Sequence, residues 1–149
     1  MAGVLWTDGQ FHDVITMPHK SSVATPRVPP DYHGSFFMAE RQIITQALRD
    51  NLPLGVDAVL DKAGVTRDEL DVCFIHQPSR PLYEAAVKAS GVERSKLVED
   101  YAHYGNTISA ELPISLDENV RNGRVKRGDL IMKITYGAGF SGGVLVYRY

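Results

Sequence analysis

A chain of 149 residues suits one domain of ordinary size and can bury a real core. Its net charge of −2 gives no nucleic-acid footprint and no bias towards a membrane surface. No apolar run approaches the length that spans a bilayer, the N-terminus lacks a signal-peptide pattern, and one cysteine cannot build an internal disulfide, so a reducing cytoplasm is the expected compartment.

In chain order, Val4–Trp6 and Phe11–Thr16 flank Asp8-Gly9, a pair that tolerates positive φ, and read as two strands of a hairpin. Residues 17–35 hold four prolines, three serines and a glycine and read as a loop. From Phe36 the period becomes helical: Phe36, Ile43, Ile44, Ala47 and Leu48 share a face that Leu52, Val56, Val59, Leu60 and Ala63 continue. Pro53 should kink or restart this helix, predicted over 36–63, and Gly64 should end it. Thr66-Arg-Asp-Glu69 has capping-box spacing.

Val72–Ile75 is a brief apolar run and reads as a buried strand. Ser79 can cap a helix over 79–90, with Leu82, Tyr83, Ala86 and Val87 inward and Gly91 at its end. A short connection carries Leu97 and Val98. Asn106 or Thr107 caps a helix over 107–122 whose face is Ile108, Leu112, Ser115, Leu116 and Val120, with Gly123 after it. Pro113 conflicts with that helix. Leu130–Thr135 and Val144–Tyr149 are the last strands, around a glycine-rich turn. The order implies an α/β fold, a five-stranded mixed sheet covered by helices.

Three elements carry chemistry: the Val72–Ile75 run ending in His76-Gln77, the Tyr104-Gly-Asn106-Thr107 element, and Tyr136-Gly-Ala138-Gly-Phe-Ser-Gly-Gly143. They supply an imidazole, a side-chain amide and a backbone turn, a set able to steady negative charge on a carbonyl oxygen. Taken singly, each has an ordinary use as a strand end, a helix cap or a tight turn. No nucleophile accompanies them, because Cys73 sits mid-strand as a small buried hydrophobe. His12, His19, His33 and His103 show no metal-ligand spacing with one another or with Cys73, so no metal site is expected. Arg121, Arg124, Lys126 and Arg127 read as a solvated turn after a helix, with a docking surface for an acidic partner as the weaker alternative.

The string His76-Gln-Pro-Ser, then Tyr104-Gly-Asn106-Thr, then Leu116-Asp-Glu-x-x-Arg-x-Gly-Arg-x-Lys-Arg-Gly-Asp-Leu130, then Gly137-Ala-Gly139, resembles β-ketoacyl-acyl carrier protein synthase III, one of the thiolase-like condensing enzymes. The resemblance runs from about Asp8 to Tyr149 and covers the second of that family's two α/β halves, so residues 1–149 are expected to be one C-terminal thiolase-like domain with the loop 17–35 inside it. The family's nucleophilic cysteine lies in the first half.

The resemblance implies an acyltransferase of fatty-acid or polyketide biosynthesis that joins an acyl thioester to a malonyl thioester by decarboxylative Claisen condensation. His76 and Asn106 match the donors to the enolate oxygen, and the backbone N–H of Ala138 matches a donor to the acyl oxyanion. Arg80 is a weaker candidate for a carrier or coenzyme phosphate; beside it the chain departs from the family at Ser79, where Asn is usual, and at Pro81, where Arg is frequent. No tightly bound cofactor is implied; acyl-coenzyme A and a malonyl thioester are substrates. The implied partners are the N-terminal half or a separate cysteine-bearing subunit, and acyl carrier protein or a coenzyme A thioester, in an enzyme that is dimeric when complete. Alone, the chain is expected to be inactive. The alternative is a non-catalytic subunit that keeps the fold to bind a partner. As half of a two-domain enzyme the chain should expose the apolar surface its sister half covers, with Trp6, Phe36, Phe37 and Phe140 as candidates to line it.

Overall fold

In chain order the elements are β1 (Ala2–Thr7), β2 (Ile15–Thr16), β3 (Phe37–Met38), α1 (Arg41–Ala63), β4 (Val72–Ile75), α2 (Arg80–Ser90), α3 (Tyr101–Tyr104), α4 (Glu111–Arg121), β5 (Leu130–Gly137) and β6 (Ser141–Arg148). The structure, a computed structural model, describes residues 1–18 and 24–149; the remainder of the expected 17–35 loop, with His19, lies outside the described residues. β5 and β6 form an antiparallel hairpin. β1 adds antiparallel to β6, and β4 adds parallel to β5. The sheet is therefore mixed, in the order β1-β6-β5-β4.

This sheet has four strands and not the expected five, for two local reasons. Asp8 does not make a hairpin turn. Its carboxylate accepts the Gln10 N–H at 3.2 Å and caps a short 3₁₀ turn, Gly9–Phe11. Its backbone instead exchanges hydrogen bonds with Phe140, at 2.8 and 3.1 Å, which carries the β1–β6 pairing past Thr7. Released from β1, Ile15–Thr16 pairs with Phe37–Met38 in a separate two-stranded sheet. That pairing also removes Phe36–Glu40 from the predicted helix, which begins at Arg41. The Leu97–Val98 segment only touches the sheet edge: Leu97 bridges Cys73, and Val98 N–H donates to the Cys73 carbonyl at 3.1 Å.

Side chains alternate across a strand, so β4 faces two cores. Cys73 and Ile75 join Met132, Ile134, Tyr136, Val144 and Val146 beneath α1 and α2. Val72 and Phe74 join Ile131, Val98 and Val125, with Leu112, Leu116 and Val120 of α4 packed against them. Burial on both faces is why four successive apolar residues form this strand.

Pro53 lies inside α1, which continues through it as one helix. An interior proline costs about 3 kcal/mol. Leu52, Val56 and Val59 are each no more than 1% exposed, and burying one such side chain contributes about 1.5–3 kcal/mol. Packing against the sheet therefore outweighs the break. Pro113 is the third residue of α4, where a helical N–H has no intrahelical acceptor to lose. The stops predicted at Gly64 and Gly91 are present as left-handed caps, with φ of 66° and 65°.

Trp6 is clamped between α1 and β6. A Cβ on Gly55 would lie 2.4 Å from its ring, and one on Gly142, its cross-strand partner, 2.2 Å. Both positions are glycine because the indole occupies the space a side chain would need.

Candidate active site

β4 and β5 run parallel, and His76 stands at the C-terminal end of β4, where open α/β sheets place ligands. The His76 N–H donates to the Ile134 carbonyl at 2.9 Å, extending the ladder by one residue. Its carbonyl accepts the Tyr136 phenol at 3.0 Å. The two rings meet edge to face with centroids 5.5 Å apart. Burial first, then the nearby Glu111 carboxylate, push the Tyr136 phenol well above its usual range, so it stays a neutral donor.

The imidazole is fixed from its other side by Glu111, in the first turn of α4. Nδ1 of His76 pairs with Glu111 Oε2, and Glu111 Oε1 accepts the Gln77 N–H at 2.7 Å. The carboxylate is 4% exposed and spends both oxygens on this one segment. An acid in a helix's first turn is ordinary on dipole grounds alone, so its place there does not single Glu111 out for this contact. A signal was present in the buried polar stripe Glu111, Ser115 and Asn119, spaced i, i+4, i+8 beside the apolar face.

Gln77, beside His76 in the motif, has a role that its position in sequence does not reveal. Its Nε2 donates to the Val98 carbonyl at 3.0 Å, and its Oε1 accepts the N–H groups of Asp100 and Tyr101, each at 3.2 Å. This buried amide anchors α3, and α3 delivers the Gly105-Asn106-Thr107 loop. Gly105 has φ 62° and ψ −149°, a combination open essentially to glycine. Asn106 is exposed, and its Oδ1 accepts the Ile108 N–H at 2.9 Å. The carbonyl end is thus used locally, while the NH₂ end remains a donor. The Thr107 hydroxyl is buried without a partner among the described residues.

The β5–β6 turn carries Ala138 to the same end of the sheet as His76. Phe140 is buried, stacks with Tyr136 at 6.2 Å, and exchanges backbone bonds with Asp8. Tyr136 therefore couples this turn to His76 directly. Burial corrects the expectation that Phe140 lines an exposed surface.

Arg80 begins α2 on the surface, where Glu84 holds it at 2.8 Å and Glu99 at 3.2 Å. Arg94 joins the same two carboxylates. Two cations against two anions leave no surplus positive charge there. Cys73 is fully buried, and burial pushes its thiol far above the usual range. A protonated, inaccessible sulfur is no nucleophile. Among the described residues, no group of three or more His, Cys, Asp or Glu is placed to hold a metal ion, and no helix is long and apolar enough to cross a membrane.

Comparison with known proteins gives one consistent answer. The family profile described as 3-oxoacyl-[acyl-carrier-protein] synthase III C terminal matches residues 60–149. The β-ketoacyl-[acyl-carrier-protein] synthase III of Streptococcus equi subsp. zooepidemicus is 32% identical over 151 residues, covering 99% of this chain and 46% of the relative. That of Desulfotalea psychrophila is 29% identical, covering 100% of this chain and again 46% of the relative. The crystal structure of the corresponding synthase from Aquifex aeolicus superposes with a TM-score of 0.81 at 26% identity, over 99% of this chain and 44% of that one. The chain thus spans about half the length of the relatives it matches.

Proposed function

The chain belongs to the 3-oxoacyl-[acyl-carrier-protein] synthase III C-terminal family, and from that premise we propose that it supplies the His76–Asn106 half of a condensing active site. The nucleophilic cysteine comes from a first half or a separate chain. In this reading that thiolate attacks an acyl thioester, releases the first thiol and holds the acyl group. A malonyl thioester then loses carbon dioxide, and the electron pair of the broken C–C bond forms an enolate. The Nε2–H of His76 and the NH₂ of Asn106 donate to the enolate oxygen. The enolate carbon attacks the acyl carbonyl, the N–H of Ala138 helps hold the resulting oxyanion, and the thiolate leaves with the C–S electron pair. Removing one such donor typically costs roughly 100- to 1,000-fold in rate.

The observation that carries this reading is the immobilisation of His76. Ile134, Tyr136 and Glu111 fix its N–H, carbonyl and Nδ1, and leave Nε2 as the ring atom without an assigned partner. A donor held before reaction needs no reorganisation during it. The test is reconstitution with the cysteine-bearing half and measurement of carbon dioxide release from a malonyl thioester. His76→Ala and Asn106→Ala should each impair decarboxylation more than self-acylation of the cysteine. Undiminished decarboxylation in both variants would contradict the assigned roles. The malonyl donor, coenzyme A or carrier protein, is read from the same assay.

A second reading, a non-catalytic subunit that binds a partner, has one observation in its favour. The only cysteine is sealed in β4, so this chain cannot form the acyl-enzyme by itself.

A further inference from the structure

Both carboxylate oxygens of Glu111 face one short segment, Oε1 to the Gln77 N–H and Oε2 to His76 Nδ1. With Glu111 as a carboxylate, which only accepts hydrogen bonds, the proton between Oε2 and Nδ1 belongs to the ring. A neutral His76 with its proton at Nδ1 carries a lone pair at Nε2. Only the imidazolium presents an Nε2–H.

We propose that Glu111 is a positioning residue that holds the neutral His76 ring in its Nδ1–H tautomer, which leaves Nε2 an acceptor and makes the imidazolium alone an Nε2–H donor. The catalytic consequence rests on the enolate-donor role given above; the placement of the proton does not. Donation to the enolate is then available from the imidazolium alone. The Nε2 of the neutral ring can take a proton from an acidic partner and cannot support decarboxylation.

The surroundings leave Glu111 as the charge that decides this. From β5 the ring meets Tyr136, a neutral phenol already donating to the His76 carbonyl. The Asp100 carboxylate, before α3, accepts the Ser115 hydroxyl. Arg80, the nearest cation along the chain, is held by Glu84 and Glu99.

Glu111→Gln separates the states. The glutamine oxygen can still accept from Gln77, while its NH₂ donates to Nδ1, which forces a neutral ring to carry its proton at Nε2. The primary test is ¹⁵N spectroscopy of the histidine rings in the 149-residue chain across about pH 5 to 9. The wild-type neutral ring of His76 should be the Nδ1–H tautomer, and the Gln variant the Nε2–H tautomer. A wild-type neutral ring protonated at Nε2 overturns the proposal, and that result needs no variant to fold.

The second test is the pH profile of malonyl decarboxylation in the reconstituted complex. The wild-type rate should fall as the imidazolium gives way to the neutral ring, and Glu111→Gln should lose that fall. Parallel profiles would reduce Glu111 to a structural role and sink the proposal. If neither protein decarboxylates while the Nδ1–H tautomer is observed, the enolate-donor role fails and the proton placement stands.

Discussion

The phenol of Tyr136 donates to the backbone carbonyl of His76 at 3.0 Å, so one β5 side chain holds the histidine from behind while its ring stacks on Phe140 of the adjoining turn. Tyr136→Phe keeps the packing and deletes the donor. An unsatisfied buried carbonyl costs about 1–3 kcal/mol. The variant should unfold at lower urea concentration with an unchanged slope, and its reconstituted complex should lose turnover without losing self-acylation. An unchanged midpoint would show that another donor replaces the phenol.

Gly142→Ala would drive a methyl group to 2.2 Å from the Trp6 ring, and Gly55→Ala to 2.4 Å. Overpacking of this kind costs about 1–3 kcal/mol. At Gly55 the clash opposes a helix-propensity gain of about 1 kcal/mol, so Gly142→Ala should be the more damaging. Gly3→Ala, whose nearest contact would be 3.6 Å, is the control and should be nearly neutral. Thermal melts of the three variants check the order.

Much of this fold was legible because its signals are local. Val72–Ile75 is four apolar residues between two cores, and Gly64 and Gly91 end helices by left-handed geometry. The Thr66–Glu69 capping box is formed, with the Glu69 carboxylate accepting the Thr66 N–H at 2.7 Å. What escaped was set by partners far along the chain. Asp8 pairs with Phe140 and so loses its hairpin, and Phe37–Met38 become a strand because Ile15–Thr16 needs one. The ring of His76 is governed by Glu111, thirty-five residues later in sequence, and the i, i+4 polar stripe that turns Glu111 inward does not name its partner.

His12 offers a pH-sensitive tether. Its Nε2 lies 2.7 Å from the Ala24 carbonyl and its Nδ1 3.0 Å from the Gly9 carbonyl. Both bonds form only if both nitrogens carry protons. The Ala24 and then the Gly9 bonds raise its pKa from 6.5. A folded-state pKa above the unfolded value means that the stabilisation is complete below about 6.5 and fades as pH rises through the raised value. Hydrogen exchange of residues 24–28 should therefore quicken on the alkaline side more than that of α2. His12→Asn should remove the difference, and a pH-independent ratio in the wild type would refute the tether.

Ile108 holds φ at 56° and is 74% exposed, two residues after Asn106. A β-branched residue in the left-handed region is strained by about 1–2 kcal/mol. Its side chain recovers little of that by burial in this chain. Ile108→Gly removes the strain but adds freedom to the unfolded chain, an opposing term of about 1 kcal/mol. The isolated chain should thus change little or gain up to about 1 kcal/mol in stability. In the complex the outcome reverses if the exposed isoleucine is contact surface for the cysteine-bearing half: affinity should fall at least tenfold, the loss of roughly 1.4 kcal/mol of apolar contact. Urea melts of the chain and titration calorimetry with that half measure the two terms separately. A variant that is less stable alone and binds undiminished would mean that the backbone at 108 is set by packing within this chain, and that Ile108 lies outside the contact surface.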